Sequence, residues 1–328
     1  MNILIKKLTS LFELFVFLLL LFFSILLAVD KSFSTATIKG FSLWFSCVLP
    51  ALFPYFFITT ILCSLKITGN LSKVLSPFTS ALFNVNGAVG YAFFISILSG
   101  YPVGAKTVCD LKEKGLIGET ESVRASALCS TSSPVFLLGS VGSIMFNDSR
   151  FGLLLFLSHL ITAVIIGVLF SFYKRKDKPQ VVTLFSANNK VNNVLYESAY
   201  SAVISVLVVG AIITVFYILT EILLSLNILT PLINFVSLIT GDFESAKGIV
   251  LGMFECTKGL SVLASSKSGI FTLPIASAIC SFGGLSIIAQ SVAYLKKAKI
   301  KTAPFIFSKI ISAVISFFVA LLVSVIFY

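Results

Sequence analysis

Two lysines and a glutamate lie inside or beside apolar stretches of this chain. Lys106 closes the motif Gly-Tyr-Pro-Val-Gly-Ala-Lys, and Lys258 follows Glu255 by three residues. Ionisable residues at membrane depth are functional candidates, and two lysines near broken helices suit an anionic solute, because cations and helix N-termini both attract negative charge. Alternatively, each lysine extends to the lipid headgroups. Glu255 either neutralises Lys258 or carries a proton or cation itself.

Helix-breaking residues interrupt two apolar blocks, 123–146 and 271–294. The first block contains Cys-Ser-Thr-Ser-Ser-Pro at 129–134, and the second contains Cys-Ser-Phe-Gly-Gly at 280–284. A break exposes backbone polar groups, which are tolerated only against protein or a water-filled cavity. Tight packing of helices through small residues is the alternative explanation. Recurrence in both halves favours a polar site, for which we predict the lining residues Lys106, Ser130, Thr131, Ser132, Glu255, Thr257, Lys258, Ser286 and Gln290, with breaks at Ser133, Pro134, Gly283 and Gly284.

The roles of the other polar residues are open, and none of these residues indicates catalysis. Gln290 is a lone amide in an apolar stretch, where it either binds solute or donates a hydrogen bond across helices. His159, the only histidine, aligns with Lys309 and is expected at the membrane interface. The chain has no P-loop, metal-ligand spacing or nucleophile constellation, so we expect neither an enzyme nor a cofactor. Its six cysteines include no CxxC pair and predict no disulfide framework.

Membrane spans must position these residues. The chain is 57% hydrophobic and 11% charged, with a mean hydropathy of +1.06, whereas soluble domains are about 25% charged. Five stretches are long enough to cross a hydrocarbon core of about 30 Å; they are 11–29, 41–65, 151–173, 200–226 and 305–328. The first is predicted to be an uncleaved helix rather than a signal peptide. Pro50 and Pro54 should kink the second, because each removes a backbone donor.

Positive charge sets the orientation of the spans. The net charge of +11 is concentrated in short loops at 6–7, 174–178 and 296–301, which we expect in the cytoplasm. This pattern does not indicate nucleic-acid binding. Each half has two apolar blocks between its fixed ends, which are 85–108 and 123–146, then 247–264 and 271–294. One block of each pair must therefore turn back within the membrane, and equivalent segments must run in opposite directions.

A duplication supports this inverted arrangement. Residues 125–130 read Ala-Ser-Ala-Leu-Cys-Ser, and residues 276–281 read Ala-Ser-Ala-Ile-Cys-Ser. Residues 158–164 match 308–314 at nearly the same spacing, which indicates a repeated unit of about 150 residues. In a membrane chain, such a repeat points to a transporter with its site between the two copies. The predicted divisions are a helix at 1–37, a first repeat at 38–173, a basic linker at 174–194 and a second repeat at 195–328.

The motifs at 100–106, 136–142 and 281–286, together with Gln290, resemble the sporulation integral membrane protein YlbJ family of the nucleoside-recognition, or gate-domain, group. The resemblance spans roughly residues 40–320. It implies an all-α polytopic membrane protein built as an inverted repeat of two gate-type domains, each with a re-entrant helical hairpin and distantly similar to concentrative nucleoside transporters. For the family it also implies movement of dipicolinic acid, a small aromatic dianion, across the outer forespore membrane.

The chain departs from the family pattern at three places. Family members usually show Asn-Asn-Ser-Gly-Pro at 130–134, Glu-x-Thr-Asn-Gly at 255–259 and a histidine where Ile288 stands. We expect an integral membrane transporter of a small, anionic solute, with membrane lipid as its surroundings and no nucleic-acid partner. Coupling to Na⁺ or H⁺ and assembly into an oligomer are left open. A nucleoside-type carrier and a non-transporting structural protein of the spore envelope are the alternatives.

Overall fold

The computed structural model describes residues 21, 24–25, 31–64, 67–179, 194–266 and 269–327, and every regular element in this part is helical. The predicted span at 11–29 falls outside the described residues except at positions 21, 24 and 25, as does 180–193 of the linker. The helices are α1 (Lys31–Leu43), α2 (Leu49–Ser64), α3 (Ile67–Phe83), α4 (Gly87–Ser99), α5 (Val103–Glu113), α6 (Glu119–Leu128), the π-helical α7 (Val135–Met145), α8 (Ser149–Ser171), α9 (Val194–Ser225), α10 (Thr230–Thr240), α11 (Phe243–Phe254), α12 (Cys256–Leu263), α13 (Thr272–Phe282), α14 (Gly284–Lys297) and α15 (Thr302–Phe327).

Several helices are long and apolar enough to cross a membrane. Four candidate spans stand alone in the described residues: α8, α9, α15 and the stretch Gly269–Lys297 that contains α13 and α14. The number rises to six if two bent helix pairs each count as one span. The prediction of an all-α, multi-pass membrane protein is therefore confirmed.

The kink predicted at Pro50 is confirmed. A π-helical segment, Trp44–Val48, joins α1 to α2, and the chain bends by 54° between Phe33–Val48 and Leu52–Ile58. Proline lacks the N–H that would continue the helical ladder, so the ladder is interrupted at this point. The kink predicted at Pro54 is absent, because Pro54 lies inside α2 within the unbroken stretch Leu52–Ile58.

All four apolar blocks are broken, although the sequence predicted breaks in only two. The breaks at 129–134 and at Gly283 lie where they were predicted. A third break, at 100–102, separates α4 from α5, and Gly100 adopts a left-handed φ of 74° there. The fourth is Glu255, whose extended backbone separates α11 from α12. Blocks 85–108 and 247–264 are therefore helix pairs rather than continuous helices.

The same order of helices occurs twice. In each half a short helix (α3 or α10) precedes two broken pairs, and one long apolar helix (α8 or α15) follows them. The sequence repeat at 125–130 and 276–281 falls at the ends of α6 and α13. The other pair of matching segments, 158–164 and 308–314, falls within α8 and α15. Matching sequence segments thus occupy matching places in the helix order.

Polar contacts gather three loops at one end of the molecule. The Lys112 ammonium group donates to the carbonyl of Lys299 at 3.1 Å, and the Thr120 hydroxyl donates to Oδ2 of Asp177 at 2.6 Å. The turn between α5 and α6, the start of the basic linker and the loop before α15 therefore lie together, and we call this end the basic end. At the other end, the Arg150 guanidinium at the start of α8 donates to the carbonyl of Phe327. Since α8 ends and α15 begins at the basic end, these two helices run in opposite directions.

Arg124 fixes the basic end to the helical body. Its side chain is 2% exposed, and its five N–H donors contact the backbone carbonyls of Asn84, Tyr173, Lys174 and Asp177 at 2.7–3.0 Å. The planar guanidinium satisfies carbonyls that a helix C-terminus leaves unpaired. The end of α8 and the start of the linker are thereby held against α6.

Candidate functional site

A central cavity of about 50 Å³ lies where the breaks of the two halves meet. Its volume accommodates a few water molecules, at about 10–15 Å³ each. The residues that line it come from the segment Trp44–Val48, from α2, α4, α7, α9, α12 and α14, and from three of the breaks. The lining consists of Val48, Leu52, Ser99, Gly100, Tyr101, Ser132, Ser133, Phe136, Val209, Ile213, Glu255, Cys256, Thr257, Ser286, Ile287 and Gln290.

Five of the nine residues predicted to line a site are in this lining. They come from both halves of the chain and are Ser132, Glu255, Thr257, Ser286 and Gln290. Ser133, predicted as a break position, lies beside them. The structure thus brings together residues that are more than 150 positions apart in the sequence (132 and 290).

Neither predicted lysine contacts the central cavity. Lys106 is exposed on α5 and is absent from the lining. Lys258 is 4% exposed, and its ammonium group lies 2.7 Å from Oε1 of Glu221 and 2.5 Å from the hydroxyl of Thr220, both on α9. Of the two alternatives for Glu255, an ion pair with Lys258 is not formed, because the carboxylate that contacts the Lys258 ammonium group is Glu221.

The other predicted residues lie next to the cavity without lining it. The Ser130 hydroxyl is 3.3 Å from the ammonium group of Lys309, and the Thr131 hydroxyl is 2.8 Å from that of Ser96. Three break positions lie outside the lining as well; they are Pro134, Gly283 and Gly284. These residues shape the backbone around the cavity.

Glu255 lines the central cavity and caps the N-terminus of α12. Its Oε1 accepts a hydrogen bond from the backbone N–H of Thr257 at 3.1 Å, and its Oε2 accepts one from the backbone N–H of Lys258 at 2.6 Å. A carboxylate at this position satisfies free N–H groups and interacts favourably with the positive end of the helix dipole. The first turn of α12 therefore stabilises the negative charge of Glu255.

Two hydroxyl groups in the lining have no partner within the described part of the protein. Ser99 comes from the end of α4, and Ser286 comes from the first turn of α14. Buried polar atoms are hydrogen-bonded in the great majority of cases. These two hydroxyls are available to donate to, or accept from, a polar solute.

His159 connects the breaks of the two halves, which overturns its predicted place at the membrane interface. It is 4% exposed and lies three turns inside α8, because that helix begins at Ser149. Its Nε2 accepts from the backbone N–H of Ser132 at 2.9 Å, so its Nδ1 carries the proton and donates to the Ser281 hydroxyl at 2.9 Å. The Ser281 hydroxyl in turn donates to Ser316 at 2.8 Å.

Lys309 is the second residue whose role the sequence did not predict. It is 1% exposed, and its ammonium group donates to the hydroxyl of Tyr101 at 2.7 Å. No carboxylate of the described residues lies within 4.0 Å of it. Burying an unpaired charge costs several kcal/mol, so such a lysine is a functional candidate. Tyr101 lines the cavity, which places the charge directly behind the cavity wall. The alignment of Lys309 with His159 in the second repeat was the available sequence signal.

Glycines let two breaks of the first half touch. A Cβ at Gly104 would lie 2.0 Å from the carbonyl oxygen of Cys129, and one at Gly100 would lie 2.6 Å from the backbone nitrogen of Ser133. Glycine alone allows backbone to approach backbone this closely. The motif at 100–106 is thus a packing surface for the 129–134 break.

Comparison with known proteins identifies one relative. The chain is 26% identical over 304 residues to the sporulation integral membrane protein YlbJ of Bacillus subtilis (strain 168), and the match covers 85% of this chain and 74% of that protein. The match supports the resemblance of this chain to the YlbJ family. A match of this extent includes both halves of the chain and agrees with the motifs that suggested the YlbJ resemblance. No family model matches the chain, and no solved structure matches it.

Proposed function

We propose that this YlbJ relative is a transporter of a small anionic solute, rather than an enzyme, and that the solute binds in the central cavity. The observation that carries the proposal is Lys309, a buried cation behind the cavity wall with no carboxylate partner in the described part of the chain. An anion in the cavity would supply the missing counter-charge. Tyr101 and the free hydroxyls of Ser99 and Ser286 offer hydrogen bonds to the same solute.

The proposed transport mechanism uses an inverted repeat of two gate-type domains. The antiparallel course of α8 and α15, which carry matching sequence, supports this part of the proposal. Transporters with inverted repeats bind solute between the repeats and expose it alternately to either side. Broken backbone in each half, including the proposed re-entrant hairpins, is tolerated because it lines a cavity rather than lipid.

Dipicolinic acid is the first solute to test. The relative's name links it to sporulation, and the family resemblance implies transport of dipicolinate across the outer forespore membrane. A cavity of about 50 Å³ must widen to admit an aromatic dianion. The breaks at 100–102, 129–134 and Glu255 provide the hinges for this widening.

Uptake into proteoliposomes tests the function. We expect uptake of labelled dipicolinate to exceed that of a labelled nucleoside, with imposed Na⁺ or H⁺ gradients identifying a coupling ion. Preferential nucleoside uptake would indicate a nucleoside-type carrier instead. No uptake of either solute by folded protein would contradict transport and favour a structural role in the spore envelope.

A matched pair of variants links the activity to the cavity. Gln290→Ala removes an amide from the lining, and we expect it to lower uptake about tenfold, the effect of losing roughly 1.4 kcal/mol of solute interaction. Lys106→Ala removes a charge that is exposed outside the lining, so uptake should stay unchanged. Equal effects of the two substitutions would exclude the central cavity as the binding site.

A further inference from the structure

A second and larger cavity lies between α1, α9, α11 and α12. Its volume is about 600 Å³, and its charged lining residues are Lys39, Lys247, Lys258 and Glu221. Lys258 and Glu221 form an ion pair at 2.7 Å. Neither Lys39 nor Lys247 has a carboxylate within 4.0 Å among the described residues. The cavity therefore carries two uncompensated positive charges.

The two cavities share a thin wall. Cys47 lines the second cavity, whereas its neighbour Val48 lines the central cavity. In the same way, Lys258 lines the second cavity and Thr257 lines the central one. The wall thus consists of the π-helical segment Trp44–Val48 and the first turn of α12. The Lys258–Glu221 ion pair joins that turn to α9.

The wall is built from elements that can rearrange. A π-helical segment is a local irregularity of helix geometry that occurs often at functional sites. The first turn of α12 begins directly after the extended residue Glu255, so it is not continuous with α11. Both interruptions lie at the boundary between the two cavities.

We infer that the second cavity is a vestibule that collects anions, carrying carboxylate or phosphate groups, for the central cavity. This inference rests on the proposed transport function. Lys39 and Lys247 create a positive potential in a concave surface, and low-dielectric walls focus such a field on the ligand. The solute reaches the central cavity through the wall beside the Lys258–Glu221 pair.

The local potential can be measured without a transport assay. Ser261 lines the vestibule and is exposed, so S261C in the otherwise native protein can be modified by an anionic and by a cationic methanethiosulfonate. Mass spectrometry of the peptide gives both rates. We expect the anionic reagent to be favoured on the order of tenfold relative to S225C, an exposed position outside both linings.

Charge removal supplies the control for this measurement. The double substitution K39Q/K247Q should reduce the preference at S261C to the value at S225C, while folding and the cavity shape are kept. An unchanged preference in the double variant, or no preference for the anionic reagent in the native background, would contradict the proposal that the second cavity collects anions. Repeating the labelling of S261C in liposomes with and without anionic phosphatidylglycerol distinguishes a free solute from a lipid headgroup as the occupant of the vestibule. Protection of S261C by the anionic lipid would assign the cavity to lipid and overturn the solute path.

The path itself is tested by blocking it. Attachment of a bulky thiol reagent at S261C should reduce dipicolinate uptake about tenfold or more, and the same reagent at S225C should have no effect. Normal uptake after full modification of S261C would overturn the path. Absence of uptake by the unmodified protein would instead contradict the proposed function, whereas the labelling preference would still report whether the vestibule attracts anions.

Discussion

His159 and Lys309 occupy matching positions in the two sequence repeats, and both contact the 129–134 break. His159 accepts a hydrogen bond from the backbone of Ser132, and Lys309 donates one to the hydroxyl of Ser130. His159 satisfies a backbone donor that the break leaves free, and Lys309 brings a positive charge to the same break. At the scale of residues, two aligned positions therefore bring two different polar groups to one break.

Replacing Lys309 by methionine separates binding from stability. We expect K309M to keep or raise the melting temperature, because an apolar side chain of similar size removes an unpaired buried charge. Uptake of an anionic solute should fall by about tenfold or more, since the counter-charge is lost. Proteoliposome uptake and thermal unfolding in detergent measure the two effects. Unchanged uptake by K309M would contradict the role given to Lys309.

Replacing Arg124 by lysine should destabilise the protein. Lysine has three donors where arginine has five, so at least two of the contacted carbonyl interactions are lost inside the protein. We expect a loss of roughly 2–4 kcal/mol of unfolding free energy, seen as a lower melting temperature. R175K is the matched control, because Arg175 is exposed and lies over the Phe172 ring at 4.8 Å. Equal melting temperatures for the two variants would show that Arg124 does not anchor the basic end.

The breaks are the elements that make the site. Each one ends a helix inside the protein, and three of the four, at 100–102, 129–134 and Glu255, turn toward the central cavity. The 100–102 and 129–134 breaks reach contact only because glycines face them. The geometry of the cavity thus depends on close backbone approach between helices of the same half.

Gly104→Ala tests this close approach. The added Cβ would lie 2.0 Å from the carbonyl oxygen of Cys129, so α5 must move away from the 129–134 break. Overpacking of this kind costs roughly 1–3 kcal/mol, and uptake should fall together with the melting temperature. G139A is the control, because the nearest atom to its Cβ is a side-chain carbon of Val135 at 3.9 Å. A G104A protein with native stability would contradict the packing argument.

Across the whole molecule, the basic end defines one face and the start of α8 defines the other. The turn between α5 and α6 contacts both the basic linker and the loop before α15. Among the described residues, these loops hold most of the basic side chains outside the cavities. By the positive-inside rule, we expect this face to be the cytoplasmic one.

Cysteine labelling from the two sides of a sealed vesicle tests the orientation. We expect K176C and K297C, both exposed near the basic end, to react from the same side. S149C should react only from the opposite side, because α8 starts there. Reaction of K176C and K297C from opposite sides would rule out the inverted arrangement.

Local sequence determined the membrane class, the helical content and two of the breaks. These features depend on apolar length, helix-breaking residues and charged loops, all of which can be read within a short window. The same reasoning gave five of the residues that line the central cavity, because polar residues inside apolar blocks are rare enough to stand out.

Only the tertiary structure decided which polar groups meet. Lys258 follows Glu255 at a spacing that pairs side chains along a helix, yet Glu255 lies before the first turn of α12 as its cap, so Lys258 faces α9 and pairs with Glu221. Lys309 reaches Tyr101 across 208 residues of sequence. Side-chain partners between distant helices depend on how those helices pack, and neither composition nor periodicity carries that information.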